Sequence, residues 1–331
     1  MGRVGYRIGK LEDEGRRDWA DSAPRPLRWS AWYPCAPGSE AAEVAGLFAT
    51  GPVARDAALI ESDRPFPVVL MSHGTGGSPE SLGWLACALA RAGHVVIGAH
   101  HHGNTGSEPY RGEGFLCWWE RAADLSALLD ALDAAGPFAG RLDTERTRAL
   151  GFSLGCHSVL SLLGARSDMA RFDAWLERNP EFGDGPREFP NLGTQVGALM
   201  DRSPAFRASW ARQGESFFDL RIVASVAIAA APPVRAFTPE SLAGIARPVT
   251  LLTGEADQEA PTSEGAVWLC EMNPGFRHVS LGADAGHYSF LGKPAGPVPD
   301  EAGFIFDDPP TLDRGALHAR TAELVLDAFA L

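Results

Sequence analysis

Hydrophobic positions along the chain follow two alternating patterns. Short apolar runs bounded by glycine, proline or charged residues predict buried strands, whereas apolar residues three and four positions apart predict amphipathic helices. Leu125, Leu128, Leu129 and Leu132, for example, follow the spacing of one helix face. Strands are predicted at 3–13, 25–34, 66–74, 94–103, 147–152, 221–230 and 247–254, and helices at 79–92, 115–135, 154–165 and 316–331.

The order of these elements predicts the fold class. Two opening antiparallel strands are followed by strands that alternate with helices, which implies an α/β fold with a mostly parallel sheet and helices on both faces. Residues 166–220 interrupt the alternation, because they are too long for an ordinary connection and rich in aromatic side chains. We expect a core of residues 1–165 and 221–331, and a helical cap or lid at 166–220 over the carboxyl edge of the sheet. The alternative is that this insertion packs at the side as scaffolding.

Composition and charge narrow the classes of function. The 331-residue chain has a formal net charge of −13, which argues against a nucleic-acid partner because phosphate backbones are bound by basic surfaces. No apolar run approaches the roughly 20 residues of a membrane span, and the first residues lack the apolar stretch of a signal peptide. The five cysteines lack CxxC spacing and are expected to be reduced thiols. We expect a cytoplasmic protein without a membrane partner. Whether it forms a homo-oligomer is left open.

The segment 151–155, "GFSLG", lies between a predicted strand and a predicted helix. In a nucleophile elbow, a serine occupies a strained, sharp turn, and the residues two before and two after it must be small. Gly151 and Gly155 meet that requirement, so the pattern predicts that Ser153 is a catalytic nucleophile. The alternative is a serine that only caps the following helix.

Chain order selects the base and the acid that would serve Ser153. In this type of site the histidine follows both the nucleophile and the acid. His287, in a glycine-rich loop after the last predicted strand, meets that order and is the predicted base. Asp257 follows the strand at 247–254 and is the predicted acid, which would orient the imidazole, while Glu255 is the reserve candidate.

The glycine-rich segment 72–79, "SHGTGGSP", follows the apolar run at 68–71 of the predicted strand at 66–74. A sheet of this type supplies one oxyanion amide at this place, and the residue after the nucleophile supplies the other. We therefore predict that the backbone amides of Thr75 and Leu154 form an oxyanion hole. A phosphate-binding loop is disfavoured, because the GxxxxGK[ST] pattern is absent from the sequence.

Aromatic residues of the insertion and of the predicted helix at 115–135 are candidates for a substrate pocket. The alternative is that most of them belong to the core, because apolar spacing does not separate the two roles. The predicted pocket residues are His73, Gly74, Trp118, Trp119, Phe172, Trp175 and Trp210.

Three consecutive histidines, His100, His101 and His102, raise the question of a metal. On an extended strand they point to alternating faces, and no further ligand follows at metal-binding spacing. We expect no metal and no cofactor, and a loop that flanks the mouth of the site.

The ordered set of motifs resembles the α/β-hydrolase superfamily, and within it the bacterial dienelactone-hydrolase-like group related to platelet-activating-factor acetylhydrolases. The likeness is carried by "LRWSAWYP", "VVLMSHGTGG", "HHHGNTG", "WWERAADLSALLDAL", "GFSLG" and "DRGALHARTAELVLDAF", which together span nearly the whole chain except the insertion. The resemblance implies a triad of Ser153, Asp257 and His287, with oxyanion amides at Thr75 and Leu154.

Two features depart from that family pattern. Dienelactone hydrolases proper use a cysteine nucleophile where this chain has Ser153, and relatives often have Asp-His where it has His100-His101. The predicted function is hydrolysis of a small-molecule carboxylic ester, with a small or moderately apolar acyl or aryl group, through an acyl-enzyme. The alternatives are an acyltransferase, an amidase or lactonase with the same triad, and a non-catalytic binding member of the fold.

Overall fold

Nine strands form one sheet within residues 2–38, 40–183 and 185–330, which the computed structural model describes. The strands are β1 (Arg3–Arg17), β2 (Pro24–Cys35), β3 (Ala54–Arg55), β4 (Phe66–Ser72), β5 (Val95–His100), β6 (Leu142–Phe152), β7 (Ile222–Ile228), β8 (Val249–Thr253) and β9 (Arg277–Ser280). Their order across the sheet is β3-β1-β2-β5-β4-β6-β7-β8-β9. β2 is antiparallel to both its neighbours, and all neighbours from β5 to β9 are parallel. The predicted mostly parallel α/β sheet is confirmed.

Helices cover both faces of this sheet. They are α1 (Gly83–Arg91), α2 (Gly112–Leu116), α3 (Glu120–Ala134), α4 (Leu154–Leu162), α5 (Met169–Leu176), α6 (Val196–Arg202), α7 (Pro204–Ala211), α8 (Pro239–Ala243), α9 (Trp268–Met272) and α10 (Arg314–Phe329). In the described part of the chain, no helix is both long and apolar enough to cross a membrane.

Alternating side chains of the central strand β4 enter two apolar layers. Val68 and Leu70 pack in one cluster with α3 and α4, while Val69 and Met71 pack in another with α1 and α10. Successive side chains of a strand point to opposite faces, so a strand that is buried on both faces must be apolar throughout. This is why the central strands are continuous apolar runs in the sequence.

The predicted helix at 115–135 is interrupted in the structure. Cys117 leaves the helical conformation, with φ −92° and ψ 67°, so that α2 ends before it and α3 begins at Glu120. The indole N–H of Trp118 donates to the carbonyl of Phe115 (2.5 Å) at the break. The break lets the adjacent indoles of Trp118 and Trp119 reach different surroundings.

The insertion at 166–220 contains α5, α6 and α7. Its apolar residues Met169, Leu199 and Phe206 pack in one cluster with Trp118 and with Leu154, the first residue of α4. Since α4 begins at the carboxyl end of β6, the insertion lies at this end of the sheet. Its action as a lid stays a prediction.

Candidate active site

Ser153 occupies a sharp turn between β6 and α4. Its φ of 53° and ψ of −119° lie in a region that side-chain-bearing residues rarely adopt. A Cβ on Gly151 would collide with the carbonyl of Gly155, and a Cβ on Gly155 would collide with the carbonyl of Ser72. Strand, turn and helix therefore pack so closely that only glycine fits at both flanking positions.

Ser153, His287 and Asp257 form a continuous hydrogen-bonded chain. Ser153 Oγ lies 3.0 Å from His287 Nε2, and His287 Nδ1 lies 2.8 Å from Asp257 Oδ2. All three residues are buried. Because a carboxylate only accepts, Nδ1 carries the proton toward Asp257 and Nε2 is left to accept the Ser153 hydroxyl proton. This is the tautomer that a general base for Ser153 requires.

Two loops bring Asp257 and His287 together. The turn after β8 packs on the loop before His287, where the Ala256 N–H donates to the carbonyl of Ala285 (3.1 Å) and a Cβ on Gly254 would collide with that carbonyl. The second oxygen of Asp257, Oδ1, accepts the N–H of Ala260 at 2.7 Å. Each oxygen of the carboxylate thus has its own partner, the imidazole at Oδ2 and a backbone amide at Oδ1.

Glu255, the reserve candidate for the acid, faces elsewhere. It is exposed, and its Oε1 accepts the Ser280 hydroxyl at 2.7 Å. The structure therefore places Asp257, and not Glu255, beside His287.

The loop after β4 lies directly against the elbow. A Cβ on Gly74 would stand 3.2 Å from Ser153 Cβ and 3.0 Å from the ring of Phe152. Among the described residues, the N–H groups of Thr75 and Leu154 have no hydrogen-bond acceptor, and both residues line the cavity that contains Ser153. The two amides that the sequence predicts for an oxyanion are therefore available at the site.

A cavity of about 1380 Å³ opens at Ser153 and His287. This volume exceeds the roughly 300–1,000 Å³ of a typical small-molecule site. The insertion supplies much of its apolar wall, and Trp118 contacts Phe172 edge to face at 4.9 Å between ring centroids. The predicted pocket residues that line the cavity are Gly74, Trp118, Phe172 and Trp210.

The structure corrects the predicted pocket at three positions, because His73, Trp119 and Trp175 lie outside its wall. His73, the first residue of the loop after β4, is fully buried. The indole N–H of Trp119 donates to Ser209 of α7, and that of Trp175 donates to Glu264 Oε2, each at 3.0 Å. The spacing of aromatic residues in the sequence does not predict which face of each helix lines the cavity.

Nothing in the sequence indicated that Tyr110 and Glu188 line the cavity, or that Asn104 supports the loop beside it. Tyr110 donates its hydroxyl proton to the carbonyl of Gly76 at 2.8 Å, and Asn104 Oδ1 accepts the N–H of Gly76 at 2.6 Å. Both contacts brace the loop that carries Thr75. Glu188 of the insertion also lines the cavity, and burial raises the pKa of its carboxyl.

The three consecutive histidines have separate partners. His100 lies between the hydroxyls of Ser30 and Ser107, each 3.0 Å away. His101 lies between Ser72 Oγ (2.9 Å) and Asp124 Oδ2 (3.1 Å). His102 contacts Glu108 Oε1 at 2.7 Å. Burial lowers the pKa of His100 to about 4 and that of His101 to about 3, so both rings are neutral at pH 7. No group of three or more His, Cys, Asp or Glu side chains in the described ranges is placed to hold a metal ion.

Comparisons with known proteins agree with this architecture. No model of a protein family matches the chain, and no curated protein sequence matches it. Among solved structures, it is similar to a ferulic acid esterase from Streptomyces cinnamoneus, with 20% identity and a TM-score of 0.64 over 99% of this chain and 89% of that one. It is also similar to a puromycin-hydrolyzing peptidase from Mycobacterium tuberculosis, with 14% identity and a TM-score of 0.53 over 98% of this chain and 38% of that one.

Likeness at these identities establishes the fold. The strand order, the elbow between β6 and α4 and the helices on both faces together identify the α/β-hydrolase fold. A fold of this kind hosts many activities, so function has to be argued from the site itself.

Proposed function

We propose that this protein is a serine hydrolase that cleaves carboxylic esters through an acyl-enzyme intermediate. The observation that carries the proposal is the hydrogen-bonded chain from Ser153 through His287 to Asp257, which ends at a large cavity. A nucleophile, an oriented base and two unpaired amides at one point are the parts that acyl transfer requires.

The chemistry follows from the tautomer of His287. Its Nε2 takes the hydroxyl proton as Ser153 Oγ attacks the ester carbonyl, and the amides of Thr75 and Leu154 donate to the resulting oxyanion. The imidazolium then protonates the leaving alkoxide, which departs as the alcohol and leaves the acyl group on Ser153. Water, deprotonated by the same histidine, attacks the acyl-enzyme, and the imidazolium returns the proton to Ser153 Oγ as the bond to the acyl group breaks and the carboxylic acid leaves. These steps need no cofactor.

The wall of the cavity suggests the acyl group. Trp118, Phe172 and Trp210 offer aromatic faces beside Leu154, which favours a small or moderately apolar acyl or aryl group. The name of the similar ferulic acid esterase supports the inclusion of an aromatic acyl ester in any substrate panel.

A fluorophosphonate probe tests the nucleophile. We expect the wild-type protein to be labelled at one residue and Ser153→Ala to remain unlabelled. Ser107→Ala, which removes another hydroxyl from the wall of the same cavity, is the matched control and should still be labelled. Labelling that survives in Ser153→Ala, or none in the wild type, contradicts the proposal.

A substrate panel tests the reaction class. It contains p-nitrophenyl esters of increasing acyl length, methyl ferulate, a lactone and an anilide, each measured with and without an added alcohol or amine. We expect ester hydrolysis to dominate. Preferential turnover of the lactone or anilide would indicate a lactonase or amidase, and transfer of the acyl group to the added nucleophile would indicate an acyltransferase.

A further inference from the structure

The peptide group between Gly74 and Thr75 has unlike surroundings at its two ends. Its carbonyl oxygen accepts three hydrogen bonds, from His73 Nδ1 (2.6 Å), Arg121 Nη2 (3.3 Å) and the N–H of Gly77 (3.3 Å). Its N–H, which belongs to Thr75, has no acceptor in the described residues. In a trans peptide the two bonds point in opposite directions, so donors that hold the oxygen also aim the N–H away from them.

The tautomer of His73 follows from its two ring nitrogens. Nε2 faces the N–H of His101 at 3.5 Å and must accept there, so Nδ1 carries the proton and donates to the Gly74 carbonyl. Arg121 Nη2 also lies 3.2 Å from Nδ1, but two donors do not bond each other, and its proton goes to the carbonyl oxygen. Burial and the nearby Arg121 cation hold the pKa of His73 well below 6.5, so the ring is neutral.

Arg121 is therefore the charged donor on this carbonyl. It is about 1% exposed, and its Nε and Nη1 have no hydrogen-bond partner in the described part of the chain. Burial lowers the pKa of Arg121 to about 9, which leaves the guanidinium charged at neutral pH.

The carboxylate one turn further along α3 is engaged elsewhere. Asp124 binds Arg25 through both oxygens, at 2.7 and 3.1 Å, and pairs with Arg16 at 2.9 Å. Arg121 has no direct ion pair among the described residues, and its hydrogen bonds go to the loop after β4. A buried cation without a direct partner is costly, and its nearest polar target is the back of the predicted oxyanion hole.

We propose that Arg121 is a positioning residue that orients and polarises the Gly74–Thr75 peptide, so that the Thr75 amide donates more strongly to an oxyanion on the substrate. Donors on a carbonyl oxygen draw electron density from the peptide and make its N–H a stronger donor. The guanidinium also places a positive charge behind the point where negative charge develops, in a site of low dielectric constant. This inference rests on the proposed function.

The test compares oxyanion binding with ground-state binding. Ser153 Oγ adds to the carbonyl carbon of a trifluoromethyl ketone and forms a tetrahedral oxyanion, whereas the corresponding secondary alcohol is similar in size but forms neither that bond nor the oxyanion. The variants are Arg121→Met, Arg121→Gln, Arg121→Lys and, as a matched control, Arg25→Met, which also loses a buried cation beside Asp124 but does not contact Gly74. Each is measured for thermal stability, ester turnover and both inhibition constants.

We expect Arg121→Met to lose about tenfold or more in kcat/KM and in ketone affinity, since removal of an oxyanion donor itself costs about 10²–10³-fold. The affinity of Arg121→Met for the alcohol should stay within about threefold of the wild-type affinity. Arg121→Lys should recover part of the loss in kcat/KM and in ketone affinity. Arg25→Met should lose stability but keep the kcat/KM of the folded enzyme.

Equal losses of ketone and alcohol affinity, or a kcat/KM within about threefold of wild type, would overturn the proposal. If Arg121→Met does not fold, the other two variants decide. The ketone should bind the Arg121→Lys variant more tightly than the Arg121→Gln variant, and equal affinities would overturn the proposal. A wild-type protein that neither hydrolyses esters nor binds the ketone would refute the proposed function itself.

Discussion

Gly155 of α4 lies against Ser72 at the end of β4 so closely that no side chain fits between them. A Cβ on Gly155 would collide with the Ser72 carbonyl and stand 3.1 Å from the carbonyl of His73. The elbow that holds Ser153 and the loop that holds Thr75 are thus in backbone contact. The spacing between Ser153 and the Thr75 amide depends on this contact.

Gly155→Ala should separate these two segments. Because the neighbouring atoms are backbone and cannot move aside cheaply, we expect a stability loss of about 1–3 kcal/mol and a large fall in ester turnover. Urea unfolding and kcat/KM measure the two effects. Gly197→Ala is the control: this exposed glycine of α6 has nothing within 4 Å of an added Cβ, so stability should hold or rise by about 0.5–1 kcal/mol. Near-normal turnover in Gly155→Ala would show that the close contact does not set the site.

Asp257→Asn should impair the base without removing it. An amide in place of the carboxylate can present N–H to Nδ1 and favour the wrong imidazole tautomer, and the comparable change in serine proteases costs about 10⁴-fold in kcat. Glu255→Gln should stay within about twofold of wild type, since its partner is Ser280. Both are checked by steady-state turnover. A larger loss in the Glu255 variant would reassign the acid.

Phe172→Ala should change acyl selectivity. Its ring lines the cavity and packs on Trp118, so its removal takes apolar surface from the wall that we propose faces the acyl group. We expect kcat/KM for aromatic or long-chain esters to fall about tenfold relative to acetyl esters. Phe218→Ala, an exposed phenylalanine of the same insertion, should leave the ratio unchanged. An unchanged ratio in Phe172→Ala would place the acyl group elsewhere.

Stability should decline steeply in acid because buried histidines stay neutral in the folded state. His157 contacts Ser167 Oγ at 2.9 Å and stacks on Phe237, and burial lowers its pKa to about 3. Between pH 6.5 and about 3, the unfolded chain binds a proton there that the folded chain does not. The free energy of unfolding therefore falls as pH falls, by up to about 1.4 kcal/mol per pH unit.

His157→Gln removes that proton uptake. We expect its free energy of unfolding, measured in urea, to fall less steeply between pH 6 and pH 4. The difference in slope should correspond to about one proton fewer bound on unfolding. His278→Gln is the control, because its half-exposed ring is partly solvated and should contribute less. A slope identical to wild type in His157→Gln would mean that this ring does not resist protonation.

Local sequence patterns determined much of the secondary structure of this protein. Apolar periodicity predicted the central strands and most helices. A strand buried on two faces is a continuous apolar run, and a helix buried on one face has apolar residues three and four positions apart. The glycines around Ser153 likewise mark a turn whose crowding is local. Chain order then selected Asp257 and His287, which the structure brings within hydrogen-bond distance.

Only the tertiary structure decided which side chains meet across long separations. Ser153 and His287 are 134 positions apart, and Arg121 is 47 from the carbonyl it contacts. The placing of Glu255 away from His287, the position of Trp118 in the cavity wall and of Trp119 outside it, and the separate partners of His100, His101 and His102 were set in the same way. Each depends on how loops from different strands pack at one end of the sheet. The residues next to each position in the sequence do not determine that packing.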